Sequence, residues 1–503
     1  MINLIFNGTL FKDKLAIGRD DDLLFKLKKD LEFFKNITTN SLNKKSKLDK
    51  NIVLMGRKTF FSIPSNNRPL KGRINLILTN NKDLIKINKI PSNYELKDNT
   101  FYFITLDTFI KIYNYYNPNV FVIGGGEIYN LFLAGNFNLE KPSYIYFTHV
   151  KSSSNKNVVF TKENEPNCFI NYFNWYYKLI SYSELYTDTK VNVNYRILTY
   201  KLNKNFSEEY KYINYLNKLI YKGISRNNRT EFDSTSLFGN MISFDISQSI
   251  PLMTTKKISF SIILEELLWM CRGDTDAKIL QNKNIHIWDG NTSREFLDKR
   301  GLQHYPEGIL GPQYGFLWRH FGAKYHFSYG DTSKCDNSLI GGFDQFKYVE
   351  NLLENDPFSR RIMITAWSPD KLKEQCLPSC HHTIQFYVTE ENKQKYLSCM
   401  FIMRSSDQLA LSFNCVGYTI LTYILAKRHN MLPKELIYVS GDGHVYNNHI
   451  NQLQLQLLNE PRPLPKLKLD DSIKYKDWNE ITSNDFELIG YLPHPFIKMS
   501  MVV

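Results

Sequence analysis

A chain of 503 residues, 43% apolar and 14% aromatic, is long enough for two to four domains at roughly 100–200 residues each and can build large cores. No run approaches the ~18–20 apolar residues of a membrane span, and the opening MINLIFNGTLFKDK lacks a signal-peptide pattern. Seven irregularly spaced cysteines fit a reducing, cytoplasmic setting better than a disulfide framework, and a net charge of +13 admits nucleic-acid binding, attraction of small polyanionic substrates, or drift toward Lys, Asn, Ile and Tyr. No basic helix with interleaved aromatics supports the first of these, and Lys44, Lys45, Lys47 and Lys50 cluster in what reads as a solvated polar loop.

The first half alternates short strand-like runs with helical patterns. INLIF (2–6) is strand-like, and DDDLLFKLKKDLEFFKNI places Leu23, Leu24, Leu27, Leu31 and Phe34 near helical spacing. NIVLM (51–55) is a buried strand that runs into Gly56-Arg57-Lys58-Thr59 and a short helix. RINLILT (73–79), TFYFIT (100–105) and VFVIGGG (120–126) follow. This order predicts an α/β sheet with ligands at the strand ends. Gly56–Thr59 and Gly124-Gly125-Gly126-Glu127 both end a strand and open a helix, where backbone N–H groups can hold phosphates. Neither is a P-loop or a GxGxxG. Asp30 shares a helical face with Leu27, Leu31 and Phe34. Such an acid is either a surface residue or, if buried, a partner for a cationic or amide-bearing ring, with a raised pKa.

The junction is short. Residues 203–208 separate a first domain, 1–202, from a second, 209–503, with no Pro- or Gly-rich linker and no internal repeat.

In the second half, SRRIMITAWSPDKLKEQCLPSCHHTIQFYV (359–388) carries the chemistry. An arginine pair, Arg360-Arg361, precedes a run with Trp367. A Pro-bearing turn then presents Cys380 beside His381 and His382. A cysteine on a turn among arginines suggests an activated thiolate, the nucleophilic form. Two other readings stand beside it. Cys376-x3-Cys380-His381-His382 is half a metal site, but Cys399 and Cys415 supply no second ligand pair at a familiar spacing, so no metal is expected. Cys380 could also be an ordinary core cysteine.

This segment resembles the active-cysteine segment of thymidylate synthase, with LPSCH where that family has Leu-Pro-Pro-Cys-His. The match continues in order through Arg229-Thr230 and SLFG, PLMTTKK (251–257), EELLW (265–269), IWDGNTSREFLD (287–298), GPQYGFLWRHFGAKY (311–325), RSSD (404–407), FN (413–414), GDGHVYNNH (441–449) and GYLPHPFIKMSMVV. The resemblance implies an α+β domain that methylates dUMP to dTMP, with 5,10-methylenetetrahydrofolate as co-substrate. It implies that Cys380 attacks C6 of the pyrimidine, that Glu266 orders proton transfer around O4 and the folate, and that Tyr314 lies near the C5 proton. Arg229, Arg404 and Ser405 fall at phosphate-binding positions. Arg360 and Arg361 match a pair that reaches in from a second subunit, which implies a two-fold homodimer. His381 and Trp288 would line the site, Asp407 and Asn291 would contact the pterin with Asp407 also bordering the nucleotide, and His444 and Tyr446 would hold the ribose 3′-hydroxyl. The Asn414 amide can donate to uracil O4 and accept from N3–H, which points to dUMP rather than dCMP. The family's Gly-Leu-Gly-x-Pro stretch before Asn414 is here the shorter QLALSF, and the C-terminal KMSMVV would close as a lid.

The first half resembles dihydrofolate reductase through IGRDDDLLFKLKKDLEFFK (17–35), IVLMGRKTFFSIPSNNRPLKGRINLILT (52–79), VFVIGGGEIY (120–129) and YFTH (146–149). This implies a mixed sheet flanked by helices and NADPH-dependent reduction of dihydrofolate. Asp30 falls at the pterin-binding acid, Phe34 and Ile63 at the pterin and aminobenzoyl site, Arg73 at the glutamate-tail carboxylate and Thr148 in the pterin network. Ile17, Arg57, Lys58, Thr59, Gly125, Gly126 and Tyr129 fall at cofactor positions. Leu24-Phe25 replaces the family's Pro-Trp, Asn80 an Arg used for the 2′-phosphate, and near Asn7, where the family has an Ala, the alignment needs an insertion. Fusion of two such domains resembles the bifunctional enzymes of protozoa and plants. The expected function is therefore dual, and the alternative is an active synthase with a mainly structural reductase-like domain.

Overall fold

The computed structural model describes residues 1–12, 14–40, 46–91, 95–134, 141–154, 156–171, 177–202, 207–227, 232–335 and 337–499, the side chains of 337 and 338 excepted. The chain divides into two compact units, Met1–Phe206 and Ser207–Val503.

The first unit is built on one twisted sheet. Its elements are β1 (Ile2–Phe11), β2 (Lys14–Arg19), α1 (Lys28–Asn40), β3 (Ile52–Gly56), α2 (Arg57–Ser62), β4 (Ile74–Leu78), β5 (Phe101–Ile104), β6 (Val120–Gly124), α3 (Gly126–Ala134), β7 (Tyr144–Ser152), β8 (Tyr177–Tyr182) and β9 (Val193–Leu202). The spatial order is β8-β9-β7-β1-β6-β3-β4-β5. Strands β7 through β5 run parallel, and β9 and β8 add an antiparallel edge. The central strands are buried on both faces, which is why Ile52, Val53, Leu54 and Met55 read as an unbroken apolar run. Phe33, Phe34 and Ile37 of α1 pack on the core formed by Ile5, Val53, Met55, Phe60, Ile77, Phe103 and Phe121.

The helix expected from Leu23, Leu24 and Leu27 begins later, at Lys28. Asp20 and Asp21 adopt φ of 50° and 64° and turn the chain, so that Asp22–Leu23 pairs back on Gly18–Arg19. The apparent helical spacing thus joined a hairpin arm to a true helix, and Leu23 and Leu31 are exposed. Strand β1 keeps a continuous register with β7 from Asn3 to Gly8, so Asn7 lies within unbroken pairing.

The second unit contains α4 (Glu209–Lys222), β10 (Ile224–Arg226), β11 (Ser234–Asp245), α5 (Phe260–Arg272), α6 (Tyr314–Arg319), β12 (Met363–Thr365), β13 (His381–Glu391), β14 (Gln394–Asp407), α7 (Leu411–Arg428) and β15 (Leu432–Tyr446) among its elements. The sheet order is β10-β11-β15-β14-β13-β12, with only β14 and β15 parallel. One face is core: Ile384, Phe386, Leu397, Cys399, Phe401, Leu436 and Tyr438 are buried there. Helix α7 is apolar nearly all round because it lies inside this core. The alternate residues Tyr387, Met400, Ile402, Ile437 and Val439 face the other way and are only partly covered or exposed, an apolar sheet face with no layer over it among the described residues. Among the described residues no helix is long and apolar enough to cross a membrane.

Candidate active sites

In the second unit the chain enters β13 directly after Cys380, and pairing of β13 with β14 brings Arg404 beside it: Arg404 N donates to Cys380 O at 2.9 Å. The Arg404 guanidinium donates to Ser379 O at 3.0 Å and Pro378 O at 2.7 Å, and its Nη2 lies 3.7 Å from Cys380 Sγ. The same guanidinium sits 5.6 Å from the Trp367 ring centre. From the other side, Cys380 N donates to Tyr314 Oη at 2.8 Å. The Tyr314 ring stacks on His381, with centroids 3.9 Å apart and planes 5° apart. The His381 Nδ1 is hydrogen-bonded to Tyr418 Oη of α7. Burial, with His382 close by, pushes His381 down to a pKa of about 3, so its ring is neutral. Cys376, the other half of the conceivable metal pair, is fully buried with Sγ 3.6 Å from Gln313 Oε1.

Glu266 lies on α5. Its neighbour Glu265 makes the surface ion pair, to Lys283 Nζ at 2.6 Å. Glu266 instead accepts from Trp288 Nε1 at 2.9 Å. By surface area the residue is half-buried, yet protein crowds its carboxyl, and burial raises its pKa to about 7 against the pull of the indole N–H. The crowding governs here, because one hydrogen bond replaces the several that water would give. The charges of Glu266, Cys380 and Arg404 all bear on Tyr314, which gathers these groups at one place.

Ser405 and Asp407 pair with Asp442 and His444 across the parallel β14–β15 register, and Tyr446 ends β15. Asn414 and Tyr418 are four residues apart on α7, hence on one face, the face that meets His381. Among the described residues the Asn414 side chain has no hydrogen-bond partner, and Asn291 is buried just after Trp288. Arg360 and Arg361 lie exposed before β12, and their side chains make no ion pair among the described residues. Arg229, Lys44, Lys45 and the last four residues of the KMSMVV segment lie outside the described residues. The part of the tail described is held by Arg462, whose Nη1 donates to Leu492 O at 3.1 Å and Pro493 O at 2.8 Å. Residue-type patterns did not single out Tyr418 or Lys256. Lys256 is a buried amine, pushed down to a pKa of about 8 by burial, with Nζ 3.0 Å from Leu409 O. Leu409 lies in QLALSF, the stretch that stands where the family has Gly-Leu-Gly-x-Pro.

In the first unit Asp30 is buried, at 7% exposure. Thr148 Oγ1 donates to its Oδ1 at 2.5 Å and Asn7 Nδ2 to its Oδ2 at 2.8 Å. Burial raises its pKa above the ordinary carboxylate value, and the two donors offset part of the rise. Phe34 and Ile63 are half-buried nearby, packed against the core beneath. Arg73 is 5% exposed; it donates to Thr38 Oγ1 at 2.8 Å and Lys71 O at 3.0 Å, with its guanidinium 5.7 Å from the Phe34 ring centre. Among the described residues it has no carboxylate partner. A buried guanidinium without a counter-charge is costly unless an anion joins it.

The two glycine turns meet. A Cβ on Gly124 would fall 2.7 Å from Thr59 Cγ2, and one on Gly125 would fall 3.3 Å from Thr59 Oγ1. Only a side-chain-free backbone lets the start of α3 lie this close to the start of α2, at the carboxyl ends of the neighbouring strands β3 and β6. Arg57 and Lys58 are exposed at that edge; Lys58 pairs weakly with Asp21 at 3.5 Å. Ile17 is buried on β2, and Tyr129 is buried with its hydroxyl donating to Ile5 O at 2.7 Å. Basic side chains with exposed ends beside two helix starts fit a phosphate-bearing dinucleotide.

Comparison with known proteins gives the same partition. A dihydrofolate reductase family model matches residues 1–202 and a thymidylate synthase model residues 210–503. The chain is 37% identical over 524 residues to the bifunctional dihydrofolate reductase-thymidylate synthase of Zea mays, covering 97% of this chain and 95% of that one. It is 37% identical over 498 residues to the Paramecium tetraurelia enzyme, covering 97% and 96%, and 34% identical over 515 residues to that of Leishmania major, covering 97% and 93%. With both family models in this order and relatives alike over nearly their whole length, the chain belongs to the bifunctional dihydrofolate reductase–thymidylate synthase family.

Proposed function

We propose that this chain converts dUMP and 5,10-methylenetetrahydrofolate to dTMP and dihydrofolate in a domain spanning 209–503, and reduces the dihydrofolate to tetrahydrofolate in a domain spanning 1–202. The observation that carries the reading is Cys380 held between Tyr314 and Arg404, with Glu266 gathered at the same place. Arg404 sets a positive donor beside the sulfur that must carry the charge. Cys380 Sγ adds to C6 of the pyrimidine, which makes C5 nucleophilic toward the one-carbon unit. Glu266, with a pKa of about 7, can take and return a proton near neutrality around O4. Tyr314 lies toward the C5 proton, and His381, neutral, packs against it. Asn414 reads uracil through its unpartnered amide. Ser405, Arg404 and Arg229 bind the phosphate, Asp407, Asn291 and Trp288 face the nucleotide and folate, and His444 and Tyr446 the ribose. The C-terminal KMSMVV closes over the complex as a lid.

A second copy completes the site. Exposed, unpaired Arg360 and Arg361 beside the uncovered apolar sheet face suit an isologous homodimer in which the pair enters the partner's phosphate site. Seven irregularly spaced cysteines suit a reducing cytoplasm.

In the reductase domain NADPH, when bound, supplies the hydride. Arg57, Lys58, Thr59, Gly125 and Gly126 hold it at the paired helix starts, with Ile17 and Tyr129 forming the apolar wall. Asp30 and Thr148 hold the pterin, and Asp30 assists protonation at N5. Phe34 and Ile63 flank the ring, and the uncompensated Arg73 takes the tail carboxylate through two parallel hydrogen bonds.

Cys380→Ala tests the reading. We expect dTMP formation to fall by about four orders of magnitude or more, with dihydrofolate-dependent NADPH oxidation retained. Residual dTMP formation at the wild-type rate refutes the nucleophile.

A further inference from the structure

We propose that Asn7 is a positioning residue for the reductase reaction: its amide grips Asp30 Oδ2 and sets both the aim of that carboxylate and how readily it takes a proton. The proposal rests on reading Asp30 as the acid of the reductase site. Asn7 lies on β1 directly opposite Thr148 of β7, so two adjacent parallel strands each supply one neutral donor to one carboxylate oxygen. Asn7 is 4% exposed and Thr148 2% exposed, so water does not share these bonds freely.

The orientation of the Asn7 amide follows from its neighbours. Its Nδ2 contacts two acceptors, Asp30 Oδ2 at 2.8 Å and Phe25 O at 3.1 Å. Turning the amide over would set an oxygen against both, so the nitrogen must face them. The carbonyl Oδ1 is then left buried with no donor among the described residues. An unpaired buried acceptor is a standing cost to the fold, which the two bonds given by Nδ2 offset. The hydrogen bonding of Asn7 is thus directed at Asp30 and at the Phe25 carbonyl beside it. The same amide ties Asp30 to the Phe25 carbonyl, the position where the family's tryptophan is replaced.

The electrostatic surroundings make Asn7 a strong lever. Asp30 makes no ion pair among the described residues. The titratable groups that face it are Tyr129 on α3 and Tyr195 on β9, both held above the ordinary tyrosine pKa by burial. Neither carries charge near neutral pH. Burial, Thr148 and Asn7 are thus the terms that set the Asp30 proton affinity, burial raising it and the two donors lowering it.

The test uses the full-length chain. Infrared difference spectra against Asp30→Asn isolate the Asp30 carboxyl band and give its titration midpoint without requiring turnover. Asn7→Ala removes the donor and should raise the midpoint by about one pH unit, with the thermal midpoint of the protein lowered only at pH values where Asp30 is ionised. Asn7→Asp keeps the shape but places two carboxyls in contact. Its midpoint should rise further and split into two steps as the pair shares a proton. The pH profile of dihydrofolate reduction should move with the infrared midpoint. Unmoved midpoints in both variants, or a fall in thermal stability with an unshifted profile, overturn the proposal in favour of a packing role. Shifted midpoints in a protein that does not oxidise NADPH with dihydrofolate would leave the Asn7 assignment standing and remove the reductase reading instead.

Discussion

Asp30 and Glu266 are two acids withdrawn from water in two unrelated settings. Asp30 sits where two parallel strands and a helix meet, and two neutral donors each occupy one of its oxygens. Glu266 sits on α5 with a single indole N–H on one oxygen, and burial takes its pKa to about 7. The difference shows how a fold divides the cost of a buried carboxyl. Each hydrogen bond to the charged form offsets part of the desolvation, so donors and burial pull both acids in opposite directions. A pKa of about 7 suits the proton exchange proposed for Glu266.

The comparison can be broken at either acid. Glu266→Gln keeps the shape and the Trp288 contact but cannot exchange a proton. We expect dTMP formation to fall by roughly 10²–10⁴-fold, measured by chromatography of the product, with little change in dUMP binding. Asp30→Asn should lower dihydrofolate reduction at neutral pH by roughly 10²-fold. The loss should shrink as pH falls, because solvent then protonates the substrate directly; a loss equal at all pH values would contradict a proton-delivering role.

Neighbours of the acids sharpen the comparison with smaller effects. Arg73→Leu removes the guanidinium that lacks a counter-charge. Steady-state kinetics should show KM for dihydrofolate raised by about tenfold to a hundredfold, the equivalent of one or two charge-assisted bonds, with kcat little changed. Trp288→Phe removes the indole N–H that bonds Glu266. Losing a bond to the charged form raises the pKa, so the midpoint near pH 7 in the dTMP-rate profile should move upward by up to about one unit. A downward shift would contradict the assignment of that midpoint to Glu266.

Much of this was legible in the sequence because the residues travel in ordered strings. Cys380, Tyr314 and Arg404 stand in three separate motifs that the family resemblance assigned to one site, and the apolar runs around 52–56 and 120–124 are strands because parallel strands are buried on both faces. Other features depend on what the fold brings near. The spacing of Leu23, Leu24 and Leu27 imitates a helix, and only the turn at Asp20–Asp21 reveals a hairpin. Whether Asp30 was a surface acid or a buried one hung on which face of α1 meets the sheet. Tyr418 sits in an apolar helix where a hydroxyl has no sequence signature, yet it fixes His381. Asn7 was visible only as an awkward point of alignment, since its meaning lies in Thr148, which is 141 positions away and adjacent in space.

The central claim, two complementary active centres in one chain, is met most directly by one coupled assay. The full-length protein is given dUMP and 5,10-methylenetetrahydrofolate with NADPH, and dTMP, dihydrofolate and tetrahydrofolate are separated by chromatography. The account predicts dTMP matched by tetrahydrofolate in the wild type, dTMP with accumulating dihydrofolate in Asp30→Asn, and neither product in Cys380→Ala. Dihydrofolate accumulating in the wild type while NADPH stays unoxidised, or dTMP appearing in Cys380→Ala, would contradict it.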